Sequence, residues 1–390
     1  MYYTPMAESF FEFVTKALRE SGPSCAFDVL ARRFLAEKNF AAVFETRMMA
    51  KRHELALPLV QIGSLDDVPA DKRPEYEKAF MAAAREVGSL FLADGDIPRA
   101  WSYFRAIGEP APVADAIEKL SPDDVTDGAI EIALYEHVNP KRGFEFLLAK
   151  HGLCRAITVF GQYQGREARA DSLRLLVRTL YHDLSESLKR TVTEVEGKIP
   201  DRTSVRDLIT GRDWLFEGMN YYVDTSHLAS ILQYSVELDD PEDLRQAIEM
   251  TEYGDKLAPM FHYKGDPPFE NIYVDYGIFL RALAGENADA AIAHFRKKAS
   301  DADPEDSAGA AAAQVLVMLL GRLKRYGEAI EVSLEFLQGI EPNQLACPSV
   351  LQLCELAGDY SRMMRIAEEK GDLLNFAAGA VGATSLTPSG

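Results

Sequence analysis

The chain predicts an all-α fold in which helical hairpins stack into a solenoid, and three observations carry that prediction. Alanine, leucine and glutamate dominate and long β-branched runs are absent, which favours helix over strand almost throughout. One signature recurs at four places: a small or apolar residue, a tight polar turn, then alanine (methionine in one copy) opening a second amphipathic stretch. Finally, 390 residues at 47% apolar composition exceed one compact core but suit repeats that share a continuous core by stacking.

The four copies are Leu92-Ala93-Asp94-Gly95-Asp96 leading to Ala100, Ala284-Gly285-Glu286-Asn287 leading to Ala291, Gly321 to Tyr326 leading to Ala329, and Ala357-Gly358-Asp359-Tyr360 leading to Met363. The last three are offset by 38 and 34 residues, close to the period of a helix-turn-helix repeat. On these residues, about half of the chain resembles a tetratricopeptide-like helical repeat protein. The stretches Trp214 to Gly218 and Asp224 to Leu228 resemble bacterial proteins of that type. The resemblance implies a right-handed α-solenoid and a role in protein interaction, and it assigns no binding residue.

Taken in order, residues 1–62 read as an N-terminal helical cap or first repeats, with Phe10, Phe11, Phe13, Val14 and Leu18 marking an apolar face. Residues 63–74 mix Gly, Pro and charge and read as a surface connection. From 74 to 198, turn signals at Gly95-Asp96, Gly108-Glu109-Pro110, Ser121-Pro122 and Asn139-Pro140 separate short helices. The segment closes with a long helix over 167–198, because Leu173, Leu176, Val177, Leu180, Leu184 and Leu188 keep helical spacing with no Gly or Pro until Gly197. Residues 199–271 form an irregular, aromatic-rich region broken by Gly and Pro. Regular repeats resume over 272–376, and the small, polar residues 377–390 predict a flexible tail.

The net charge of −19 argues against general affinity for nucleic acid or an anionic membrane, since phosphate binding needs a basic face. The charge is uneven: 141–190 holds ten Lys or Arg against five Asp or Glu, and 237–306 holds seven against seventeen. No apolar run of membrane-spanning length and no secretory leader is read, so a cytoplasmic location is expected. Cys25, Cys154, Cys347 and Cys354 lack metal-ligand spacing and are expected to fill core volume. No phosphate loop, dinucleotide fingerprint, nucleophile elbow or kinase set is present.

The strongest site signal is aromatic density. Twelve of the chain's 38 aromatics lie between Trp214 and Phe279, seven of them tyrosines, which combine a packing ring with a hydrogen-bonding hydroxyl. Trp214, Glu217, Tyr221, His262, Tyr263 and Lys264 are therefore candidate ligand contacts, the last three on a loop stiffened by Pro267-Pro268. Asp224 and His227 stand three apart at a helix start and could act as acid-base groups, with Tyr222 donating to a developing anion; the competing role for Asp224 is a helix N-cap. Arg174 and Arg178, one turn apart, could hold a phosphate or carboxylate, or else pair with the acidic segment that follows. His151, His182, His227 and His262 are spaced by 31, 45 and 35 residues; three of them with Asp183, Asp224 or Glu217 would suit a divalent metal. For His182 the competing role is a packed helix residue.

The sequence thus predicts a scaffold that takes a peptide, partner protein or other small ligand on a concave face around 214–279. The alternative is an enzyme on the same scaffold, metal-dependent or His/Asp acid-base, and a closed α/α toroid ranks third, since two tryptophans are few for a sugar site.

Overall fold

The computed structural model describes residues 9–60, 68–163, 165–302 and 307–385. Among them there are eighteen α-helices and no strand, only an isolated antiparallel bridge between Lys264 and Asn271. The all-α expectation is met. The chain divides into two compact units, residues 1–152 and 153–390.

The first unit begins with α1 (Phe10–Ala36), whose start is fixed by a capping box between Ser9 and Glu12. At Gly22 the backbone takes φ 82 and ψ 179, a region open essentially to glycine alone. The break folds α1 on itself: the Arg33 guanidinium lies 5.3 Å from the Phe10 ring, where a straight helix would hold the two residues about 35 Å apart. Then come α2 (Phe40–Glu54), α3 (Arg73–Ala93), α4 (Ile97–Ala106), α5 (Ala111–Glu118), α6 (Asp127–Tyr135) and the first half of α7 (Pro140–Gln162). α7 repeats the device of α1 at Gly152, with φ 76 and ψ 178, where one unit passes to the next. Successive helices α1 to α4 pack on one another around Val43, Ala84, Val87 and Ala100, none of which reaches solvent.

The second unit is organised around two helices. α8 (Arg169–Glu196) runs unbroken and buries all six of the apolar residues that predict it, ending at Gly197 with φ 70. After α9 (Val205–Ile209) and α10 (Thr225–Tyr234) comes α11 (Pro241–Asp255), which packs against α8, α9, α10 and the following α12 (Ile272–Leu283). The helices α13 (Ala288–Asp301), α14 (Ser307–Arg322), α15 (Tyr326–Phe336), α16 (Val350–Ala357), α17 (Tyr360–Glu369) and α18 (Leu373–Ser385) then pack each on the next.

All four predicted joints are helix-turn-helix corners, joining α3 to α4, α12 to α13, α14 to α15 and α16 to α17. Asp96 and Asp359 cap the helices they open, and Gly95, Gly285 and Gly358 supply positive φ. The residue that closes each signature is buried between the paired helices: Ala100, Ala291, Ala329 and Met363. In the three alanine copies the small side chain lets the second helix approach the first.

Two expectations need correction. His182 is exposed on α8, not packed, because the buried stripe of that helix runs along Leu180, Leu184 and Leu188. Cys154 is exposed as well, although Cys347 and Cys354 do fill core volume; burial pushes the Cys347 thiol up to about 11. The small residues from 377 onward remain helical to Ser385, because α18 packs closely along α17; residues 386–390, like part of the 63–74 connection, lie outside the described residues. No helix is long and apolar enough to cross a membrane among the described residues.

Candidate functional site

Helix α11 carries three acidic residues toward its neighbours. Asp243 is wholly buried and receives Arg178 Nε at 2.6 Å and Nη2 at 3.2 Å, with Arg174 Nε at 3.6 Å. Glu249, also buried, accepts from the Tyr181 hydroxyl at 2.7 Å, from the Arg206 backbone N–H at 3.2 Å, and from Arg245. Glu252 takes both Arg206, at 2.7 Å, and Arg281, at 2.9 Å. A buried carboxylate is tolerable only when such donors satisfy it. The two candidate anion ligands, Arg174 and Arg178, are therefore turned to Asp243, and they tie α8 to α11.

Above this layer two irregular segments come together. The first, 217–224, follows a tight helical turn (Asp213–Met219) that carries half-buried Trp214; Glu217 breaks the turn with extended backbone and an exposed side chain. The second, 257–271, runs from the end of α11 to the cap of α12. The backbones of both segments are held from beneath by buried groups. Tyr253 accepts the Tyr222 N–H at 2.8 Å, and Tyr273 donates to the Phe261 carbonyl at 3.1 Å. The fit is tight, since a Cβ at Gly254 would lie 2.2 Å from the Tyr273 ring. The segments also meet directly: the Tyr221 and Phe261 rings pack edge to face at 5.2 Å, and the Tyr263 hydroxyl shares a hydrogen bond with Thr225 Oγ1 at 2.8 Å.

The far end of the second segment is anchored by a network that sequence reasoning missed. Lys298 of α13 donates to the Pro268 carbonyl at 2.6 Å, to Asp275 at 2.9 Å and to Glu270. Asp275, 2% exposed, also accepts from the Asn271 N–H at 2.9 Å and meets His294 Nε2 at 2.8 Å. Burial opposes the charge of Glu270, but Lys298, the residue's own backbone N–H and Lys264 together hold the carboxyl below its ordinary range. The available signal was an aspartate one turn before Phe279 in a largely apolar helix, a position that requires a partner.

The predicted catalytic residues have defined local roles. Asp224 caps α10, accepting from the Ser226 N–H at 2.9 Å and the Ser226 hydroxyl at 2.6 Å; the hydroxyl, the capped N–H and nearby His227 keep its carboxyl below the ordinary value. His227 is half-buried on the first turn. Tyr222 donates its hydroxyl to the Leu215 carbonyl at 2.9 Å. His262 lies edge-on to Tyr273 at 5.3 Å and has Nε2 at 3.0 Å from the Leu257 carbonyl; a carbonyl only accepts, so Nε2 carries the proton. His151 pairs with Asp127 at 3.0 Å within the first unit. Among the described residues, no group of three or more His, Cys, Asp or Glu side chains is disposed to hold a metal ion.

Five of the twelve aromatics point inward: Tyr253, Phe269, Tyr273, Tyr276 and Phe279 are core. What remains outside is an apolar and aromatic surface on the two segments, formed by Met219, Tyr221, Met260 and Tyr263, each between 41% and 65% exposed. Exposed Lys264 stands beside it. A separate open hollow of about 580 Å³ in the first unit is floored by Ala50, Ala79, Ala82 and Ala83; its rim charges are matched, Arg47 by Glu86 and Lys51 by Glu54. Compared with known proteins, the chain matches no family model, no curated protein and no solved structure.

Proposed function

We propose that this protein is a binding scaffold of the tetratricopeptide-like solenoid type, and that segments 217–224 and 257–264 take up an extended peptide of a partner protein through its apolar side chains. The observation that carries the reading is the exposed set Met219, Tyr221, Met260 and Tyr263 on loops tied to a buried tyrosine layer. A surface ordered before binding loses little entropy when it binds. Tyrosine supplies rigid area with a hydroxyl, and methionine adapts its shape to the ligand. Large apolar side chains grouped on a surface mark interaction sites. The solenoid part of the reading draws support from the chain-order packing of α13 through α18 and from the shared construction of the four joints.

The test is a displayed library of extended peptides screened against the full chain, with selected peptides measured by fluorescence anisotropy. Tyr221→Ala and Met260→Ala are each expected to weaken binding about tenfold, the size typical of an anchoring contact. Asp224→Ala and His227→Ala are expected to change it only modestly. Failure to select any peptide, or equal binding by wild type and the Tyr221→Ala and Met260→Ala variants, would refute the proposal.

A further inference from the structure

We infer that α18 is the contact through which two copies of this chain associate as a reversible, two-fold symmetric dimer. One side of α18 is fixed on α17: a methyl added at Gly379 would lie 2.9 Å from Met364 Cγ, and one at Gly382 would lie 2.3 Å from the Tyr360 ring. With that side committed, Leu373 and Leu374 are 81% and 85% exposed, and Ala377 and Ala378 are exposed one turn on. Val381, whose carbonyl accepts from Thr384 Oγ1, lies a further turn along and is 67% exposed. Residues 374, 377, 378 and 381 share one helix face.

That face has no ionisable side chain over the whole of α18, in a chain of net charge −19. It offers no charge to steer a partner of opposite sign, and two copies meeting there bring together an uncharged element rather than their acidic segments. The pattern is also self-complementary, as a two-fold contact requires. Bulky Leu374 and Val381 flank small Ala377 and Ala378. In an antiparallel pair crossing at the alanines the helices approach closely, and Leu374 of each copy meets Val381 of the other. One face of a single helix of thirteen residues, about 20 Å long, offers only a small contact area, so the association is of the weak, reversible class.

Sedimentation equilibrium of the full chain from micromolar to hundreds of micromolar is expected to show mass rising from monomer to dimer. Leu374→Glu combined with Val381→Glu is expected to raise the dissociation constant about tenfold or more, with helical circular dichroism unchanged. A second, conservative variant locates the contact. Ala378→Cys, with Cys25→Ser and Cys154→Ser, is expected to give a disulfide-linked dimer under copper-phenanthroline oxidation. A wild type that stays monomeric, a charged variant that dimerises undiminished, or an Ala378→Cys variant that forms no disulfide dimer would each overturn the inference.

Discussion

The hydroxyl of Tyr253 accepts the backbone N–H of Tyr222 at 2.8 Å, so a fully buried residue of α11 holds the loop that presents Tyr221. The bond spans 31 positions of sequence and links the core to the candidate binding surface. Burial also raises the Tyr253 phenol well above its ordinary value, which keeps it neutral through the physiological range.

Tyr253→Phe keeps the ring and removes the acceptor, leaving the Tyr222 N–H without that bond. The expected cost is about 1–2 kcal/mol in urea denaturation, with faster hydrogen exchange at the Tyr222 amide. Unchanged exchange at that amide would show that the loop is held by its aromatic packing alone.

Glu252 gives the protein an acid-sensitive tie. Burial pushes its pKa up, but Arg206 and Arg281 outweigh burial and hold it below the ordinary 4.5. A carboxylate depressed in the folded state contributes stability above its unfolded pKa and loses it as pH falls through the folded value. Glu252→Gln is therefore expected to be less stable at pH 7 by roughly 1 kcal/mol, a figure discounted for partial exposure. The difference from wild type should close as pH falls through and below the ordinary carboxylate range. Parallel stability curves over that range would remove Glu252 from the account.

Gly22 and Gly152 sit at φ 82, ψ 179 and φ 76, ψ 178. Alanine at either site has open space around its methyl yet a forbidden backbone, so each substitution is expected to cost about 1–3 kcal/mol. Gly321, inside α14 and also with open space around it, should respond with the opposite sign: alanine there is expected to stabilise by roughly 0.5–1 kcal/mol. Thermal unfolding of the three variants separates backbone strain from a generic loss of glycine.

The long helix α8 and four of the helix corners were legible in residue order alone. The stripe from Leu173 to Leu188 defined α8, and a glycine or polar turn followed by Ala100, Ala291, Ala329 or Met363 located four joints and their buried contacts. These features are local: helical period and turn chemistry act over a few residues, so composition and spacing reveal them. Asp224 as an N-cap was legible for the same reason.

Tertiary structure alone decided which side of the aromatic segment faces solvent and where the charges go. Tyr253 and Tyr273 lie in the core while Tyr221 and Tyr263 face outward, although all four have the same side chain. Arg178 reaches Asp243 across 65 residues and Lys298 reaches Pro268 across 30. Buried charge must find a partner, but which partner depends on how the helix faces meet, and that is set by packing of the whole unit rather than by any local pattern.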